Sequence, residues 1–381
     1  MARDLVRDEV VVSSRTWVVK VGTNVLASPQ GDLDHERVGA LAEQLSRVAA
    51  TGRRVALVSS GAVGAGIGQL GLPKRPDSLP QLQAAAAIGQ AYLIRAYDEH
   101  FRRHGRHAAQ LLLNHDDFDH RDRYLNVRNT LTALCDWNAI PVINENDTTS
   151  VAEIKFGDND RLAAMVANLL QAELLVILSV VDGLYDCDPA TGARTEPIRL
   201  VTDLNDAVLG LAGDSKSSLG TGGMRSKLQA ASLVTRAGGS VLIASGRQDS
   251  PLTRILDGEP IGTLFLGREG RSARARGRWI GLTARPRGHL VVDAGARKAL
   301  ESGRSSLLAI GVIDVVGQFD KGDVVGIRDP DGQEFARGLT NYATADARRI
   351  RGLRTVQLRE TLTGVELYDE IVHRDNLVLT H

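Results

Sequence analysis

Short apolar runs rich in β-branched residues recur along the first two-thirds of the chain, at 16–21, 54–59, 108–113, 140–144, 174–180 and 240–244. Longer segments of helical periodicity lie between them. Runs of this kind suit strands covered on both faces, so the pattern predicts an α/β sandwich: a mostly parallel sheet with helices on both sides. In segment 35–50, Val38, Leu41, Ala42, Leu45 and Val48 recur every three or four residues, the apolar stripe of one helix. Segment 160–171 predicts another, with Asp160 as an acid in the first turn, where the helix dipole favours negative charge. After Gly267 the pattern changes. Arg268, Arg271, Arg274, Arg276 and Arg278 crowd a glycine-containing stretch without apolar periodicity, which predicts a linker over 268–284. Short alternating segments follow at 290–293, 307–312, 323–328 and 334–339, divided by Gly and Asp turns, and predict a small β-barrel. The expected organisation is a sandwich domain over 1–267, the linker, a barrel domain over 285–368 and a tail over 369–381.

Composition adds bounds. A chain of 381 residues, 43% of them hydrophobic, exceeds what one core usually organises, in keeping with two domains. Lys plus Arg and Asp plus Glu both total 46, so no net field draws the whole chain to nucleic acid or an anionic membrane, and any anion site must be local. Cys135 and Cys187 are the only cysteines, too few for a disulfide framework or a cysteine metal site. Residues 1–14 lack the basic-then-apolar order of a secretory signal, and no apolar run nears the roughly 18 residues that span a bilayer. A soluble, cytoplasmic protein is expected.

Open α/β sheets bind ligands beyond the carboxyl ends of their strands. Four loops there carry chemistry. In VVKVGTN (18–24), Gly22 permits close approach and Lys20 supplies charge. SSGAVGAG (59–66) offers free N–H groups. INEND (143–147) and FGDND (156–160) concentrate carboxylates and amides. GTGGMRSK (220–227) enters a helix, the arrangement that binds phosphate at a helix N-terminus. Each has a plainer use: tight packing for the glycines, a solvated end for Lys20, caps and turns for the Asp and Asn residues. Four such loops in one sheet favour a site. Gly66, Gly68 and Gly71 satisfy G-x-G-x-x-G but begin seven residues past the strand end, too late for a dinucleotide turn, and neither glycine loop fits the P-loop pattern. None of the nine histidines pairs with cysteine at ligand spacing, so a metal held by protein ligands alone is not expected.

Together these motifs, with LSVVDGLYDCDP (178–189), resemble the amino-acid kinase family, and within it the glutamate 5-kinases. The C-terminal segment, through 288–296 and 306–312, resembles the PUA domain that many bacterial members carry. The resemblance implies an amino-acid-kinase-type αβα sandwich plus a small PUA-like β-barrel. It implies ATP-dependent phosphorylation of the glutamate side-chain carboxylate to glutamyl 5-phosphate, the first step of proline biosynthesis. The catalytic residues implied are Lys20, Lys227 and Asp160, with Ser60, Asp147, Asn159, Asn144 and Asp158 on glutamate. Nucleotide contacts fall to Lys20, Gly22, Ser179, Val180, Thr221, Gly222, Gly223, Met224, Arg225, Ser226 and Lys227. Magnesium enters with ATP. Inhibition by proline, a dimer or tetramer, and coupling to glutamyl phosphate reductase are further implications. RNA binding by the PUA-like domain stays open, since its arginine runs also read as a linker and a helix face. The runner-up readings are a related kinase acting on N-acetylglutamate or aspartate, disfavoured because INEND and FGDND with the appended domain resemble the glutamate 5-kinase branch, and an RNA-binding or proline-sensing protein with weak catalysis. One departure stands out: the family has Thr-Asp where this chain has Ser179-Val180, which removes a carboxylate beside the nucleotide and implies altered nucleotide recognition.

Overall fold

The computed structural model describes residues 4–28, 31–149, 159–186, 196–211, 223–268, 280–281, 284–302, 305–362 and 367–380. They fall into two compact units, one of residues 1–117 with 125–272, the other of 118–124 with 273–381. Among the described residues no helix is long and apolar enough to cross a membrane.

The first unit is built on eight strands: β1 (Thr16–Val21), β2 (Arg54–Ser59), β3 (His107–Leu113), β4 (Ala139–Glu145), β5 (Leu174–Ser179), β6 (Leu200–Val201), β7 (Ser240–Ser245) and β8 (Thr263–Phe265). Their order is β3-β4-β2-β1-β5-β7-β8-β6. The six strands foreseen from apolar runs form a parallel set, and β8 adds to it antiparallel to β7. Every residue of β1, β5 and β7 is buried, as strands covered on both faces require. The apolar stripe of the helix His35–Ala50, Val38, Leu41, Leu45 and Val48, joins Trp17, Val19 and Leu57 in the core.

Two helices approach each other unusually closely. A Cβ on Gly66, in the helix Ala62–Gln69, would stand 1.8 Å from the carbonyl oxygen of Ala85, and one on Gly89, in the helix Leu79–Arg102, would stand 1.9 Å from that of Ala62. Glycine at both positions lets the backbones touch. The last glycine of SSGAVGAG, Gly66, therefore serves packing, whereas Gly61, at φ 108°, makes the turn out of β2.

The second unit has its own core, with Leu290, Val292, Ile327, Phe335 and Ile371 among its residues. Its strands are β9 (Gly288–Val292), β10 (Leu307–Leu308), β11 (Val312–Gly317), β12 (Val324–Arg328), β13 (Glu334–Thr340) and β14 (Glu370–Leu379). They form a curled half-barrel sheet in the order β10-β14-β13-β12-β9-β11. Two expectations need correction. Segment 307–312 is not one strand, because a 3-10 turn, Ala309–Gly311, separates β10 from β11. Residues 369–381 are not a tail: β14 lies between β10 and β13, and its Ile371 and Val372 are fully buried. The arginines near 350 are engaged within this unit. Arg348 donates to the carbonyls of Val315 and Gly317 at 3.4 and 3.2 Å, and Arg351 lies 3.0 Å from Asp314. The linker arginines 271–278 fall outside the described residues.

Candidate active site

Parallel register brings the carboxyl ends of five strands level. Val21 of β1 lies beside Ser59 of β2 and Leu178 of β5, Val58 beside Ile143 of β4, and Leu112 of β3 beside Asn144. Gly22, Ser60, Asn144 and Ser179 therefore emerge along one edge. The helices Asn159–Leu170 and Met224–Arg236 bring Asp160 and Lys227 to it.

Three charged side chains meet there. Asp160 Oδ1 is 2.6 Å from Lys20 Nζ, and Asp160 Oδ2 is 3.2 Å from Lys227 Nζ. Ser226 Oγ donates to the same Oδ2 at 2.7 Å. All three charged residues are buried, Lys20 at 7% exposure, Lys227 at 6% and Asp160 at 2%. Burial alone would raise the Asp160 carboxyl, but the fields of Lys20 and Lys227, with hydrogen bonds from Lys20 and Ser226, outweigh it and hold the group well below the usual carboxylate range. Asp160 is thus an anion between two ammonium groups. Among the described residues one carboxylate faces two cations, a positive charge in excess that is costly to bury unless an anion joins it. The adjoining helix adds to this field. Gly223 is its N-cap, no side chain caps it, and its first turn holds no acid. Gly22 borders the cluster, since a Cβ there would lie at contact distance, 3.6 Å, from Lys20 Nζ.

Beside the charges runs a chain of amides. Asn159 Nδ2 donates to Ser60 Oγ at 2.7 Å and to Asn144 Oδ1 at 3.0 Å. Asn144 Nδ2 donates to Gln90 Oε1 at 3.0 Å, and Gln90 Nε2 to Gln110 Oε1 at 3.3 Å. Among the described residues Asn159 Oδ1 is buried without a hydrogen-bond partner, which leaves an acceptor to be satisfied. The chain borders a cavity of about 230 Å³ lined by Gln90, Gln110, Glu145 and Asp147, with Ala86, Ala87 and Ala91 as its apolar wall. An anion-seeking cluster adjoins a pocket with carboxylates and amides, suited to a polyanion on one side and an ammonium-bearing molecule on the other.

Most residues singled out in the sequence sit along this edge. Lys20 and Lys227 both meet Asp160, and Ser60 and Asn144 both accept from Asn159. Asp147 lines the cavity. Ser179 ends β5 and is buried, Val180 beside it is 39% exposed, and Gly223, Met224, Arg225 and Ser226 begin the second helix. Asp158, Thr221 and Gly222 lie outside the described residues. Gln90 and Gln110 carry no motif in the sequence. Gln90 sits inside a helix beyond an alanine run, and that lone amide on a buried face was the signal available.

Comparison with known proteins bears on this edge and on the second unit. The amino acid kinase family matches residues 15–245, and the PUA domain matches 288–362. A protein named glutamate 5-kinase from Caldanaerobacter subterraneus subsp. tengcongensis is 46% identical over 95% of this chain and 97% of its own. The glutamate 5-kinase of Rhodopirellula baltica is 47% identical over 99% and 97%, and that of Geobacter sp. strain M21 is 46% identical over 98% and 100%. Among solved structures, the UMP kinase of Bacillus anthracis has a TM-score of 0.46 at 15% identity, covering 67% of this chain and 96% of its own.

Proposed function

The chain belongs to the amino acid kinase family, among its glutamate 5-kinases, and on that premise we propose that the Lys20–Asp160–Lys227 cluster receives the phosphates of ATP while the amide-lined cavity presents the side-chain carboxylate of glutamate to them. The observation that carries the reading is the buried cluster in which Asp160 holds both lysines, with two cations to one carboxylate among the described residues. Phosphoryl transfer asks a protein mainly for alignment and for positive charge where oxygens crowd. Lys20 and Lys227, fixed by a shared carboxylate, supply that charge in a pre-set geometry, so little reorganisation is needed as the transition state forms. Asp160 positions both ammonium groups. The uncapped first turn at Gly223 and the absence of a side chain at Gly22 let backbone approach the phosphates, with Ser179, Val180, Met224, Arg225 and Ser226 around them.

On the acceptor side, Asp147 takes the amino acid's ammonium, and Ser60, Asn144 and Asn159 orient its carboxylates. The attacking carboxylate is ionised at neutral pH, so no general base is required. Its oxygen bonds to the γ-phosphorus as the bond to the β-phosphate oxygen breaks, giving ADP and an acyl phosphate. Among the described residues no group of three His, Cys, Asp or Glu side chains could hold a metal, and Asp160 is engaged by both lysines. Magnesium carried in by ATP, beside Lys20, Asp160 and Lys227, would neutralise part of the phosphate charge. The product hydrolyses readily and suits direct use by a reductase, and inhibition by proline and assembly into a dimer or tetramer belong to the same reading.

The test is ATP-dependent trapping by hydroxylamine, with glutamate, aspartate and N-acetylglutamate in parallel. Hydroxamate from glutamate alone is the expected result; hydroxamate from N-acetylglutamate or aspartate in preference would move the protein to another branch of the family.

A further inference from the structure

A second cavity, of about 180 Å³, lies at the opposite end of the same sheet, where strands begin. It is bounded by Thr16 at the start of β1, by Arg54 and Val55 at the start of β2, and by the helix Arg121–Asp136, which contributes Arg128, Thr132 and Cys135. Those three stand at i, i+4 and i+7, one face of the helix. The final turn of the Asn159 helix closes another side with Leu169 and Leu170.

The charges here are unevenly matched. Arg54 is paired, its Nη2 3.0 Å from Asp136. Arg128 is half-buried, and its guanidinium makes no hydrogen bond or ion pair among the described residues. Burial pushes the Cys135 thiol up, so it stays neutral and offers Arg128 no anion. Val55 and Leu169 are buried and supply an apolar wall. Gln171, which also lines the cavity, ends the Asn159 helix in the left-handed conformation, φ 55°, with the Ala172 N–H donating to the Ala167 carbonyl at 2.8 Å.

We propose that this cavity binds a small organic carboxylate, with its anionic group on Arg128 and its hydrocarbon part against Val55, Leu169 and Leu170, and that occupancy alters turnover at the far end of the sheet. Guanidinium matches carboxylate in charge and in planar geometry, and the adjoining wall selects an apolar body over inorganic anions. The route of coupling is in the elements themselves. β1 runs from Thr16 to Lys20, β2 from Arg54 to Ser59, and the Asn159 helix from Asp160 to Leu170. At about 1.5 Å rise per residue the cavity is roughly 15 Å from Asp160 along that helix. A ligand that shifts the last turn shifts the carboxylate that holds both lysines.

Binding stands apart from the kinase reading, whereas the effect on turnover rests on it. The probe is 3-methylbutanoate, with 3-methylbutan-1-ol as its uncharged counterpart, and the first readout is the melting temperature of the full chain. A saturable rise of several degrees with the carboxylate and none with the alcohol is expected in the wild type and in Lys227→Met, and its loss in Arg128→Met. Leu170→Phe, which fills the cavity without touching the arginine, is expected to abolish the rise as well. No rise in the wild type, a rise that survives both cavity variants, or one that disappears in Lys227→Met overturns the site. In the second readout, the carboxylate changes kcat for glutamate in the wild type and not in Arg128→Met, whose basal turnover is unchanged. Binding without any change in kcat overturns the coupling alone, and absence of turnover in every sample counts against the kinase reading while leaving the site intact.

Discussion

At the scale of single residues, Asp160 decides most. It is an aspartate held ionised inside the protein by two lysines, so removing its charge leaves two ammonium groups buried and mutually repelling. Asp160→Asn is expected to lower the free energy of unfolding by about 3 kcal/mol, measured by denaturant titration, and to reduce kcat more than it raises either KM. The pH dependence has a definite sign. An aspartate in an unfolded chain titrates at about pH 4, and the native group titrates lower, so its stabilisation is complete above that region and disappears as pH falls toward the native value. The stability gap between wild type and Asp160→Asn should be constant at neutral pH and narrow below about pH 4; a gap that widens in acid contradicts the assignment. Val180 makes a separate prediction. It is 39% exposed next to the buried Ser179, at the position where the family resemblance implies an aspartate. Val180→Asp is expected to lower the KM for ATP a few-fold with kcat unchanged, and an unaltered KM removes Val180 from nucleotide recognition.

Elements explain why the two kinds of glycine in SSGAVGAG differ. Gly66→Ala places a methyl against the Ala85 carbonyl, forcing the helices Ala62–Gln69 and Leu79–Arg102 apart, with an expected loss of about 3 kcal/mol. Gly61→Ala meets no atom within 4 Å and costs only the strain of φ 108°, about 1–2 kcal/mol. Thermal unfolding of both variants checks the order. The predicted strands 16–21 and 54–59 coincide with β1 and β2, since long apolar runs bounded by turn residues leave little choice of limits. β6 and β8, of two and three residues, are too short to carry a period, and β14 follows the last barrel strands by 30 residues, so its pairing is set by tertiary contacts that no local pattern encodes. The site shows the same division. Lys20 and Lys227 were visible because glycine-rich strand ends mark ligand loops, but their convergence on Asp160 is a product of register and helix placement. Gln90 and Gln110 had no motif at all; only folding shows that they extend the amide chain from Asn144.

For the whole molecule, two separate cores predict two unfolding events. Phe335, fully buried in the second unit with the Arg297 guanidinium 5.2 Å from its ring, belongs to one core alone. Phe335→Ala is expected to destabilise that unit by about 3–5 kcal/mol, seen in calorimetry as a downward shift of one transition, while glutamate turnover at moderate temperature is unchanged. A single transition shifting as a whole would mean that the units unfold together.

The central claim, that the lysine-bearing edge transfers phosphate directly to the side-chain carboxylate of glutamate, is tested most directly by isotope. Glutamate carrying ¹⁸O in that carboxylate is incubated with ATP, magnesium and hydroxylamine, and the phosphate released is analysed by mass. Attack by the carboxylate forms a carbon–oxygen–phosphorus bridge, and hydroxylamine then displaces phosphate at the acyl carbon. One ¹⁸O atom should therefore appear in each phosphate formed, and Lys227→Met should abolish its formation; phosphate released without the label would mean that water, not glutamate, receives the phosphoryl group.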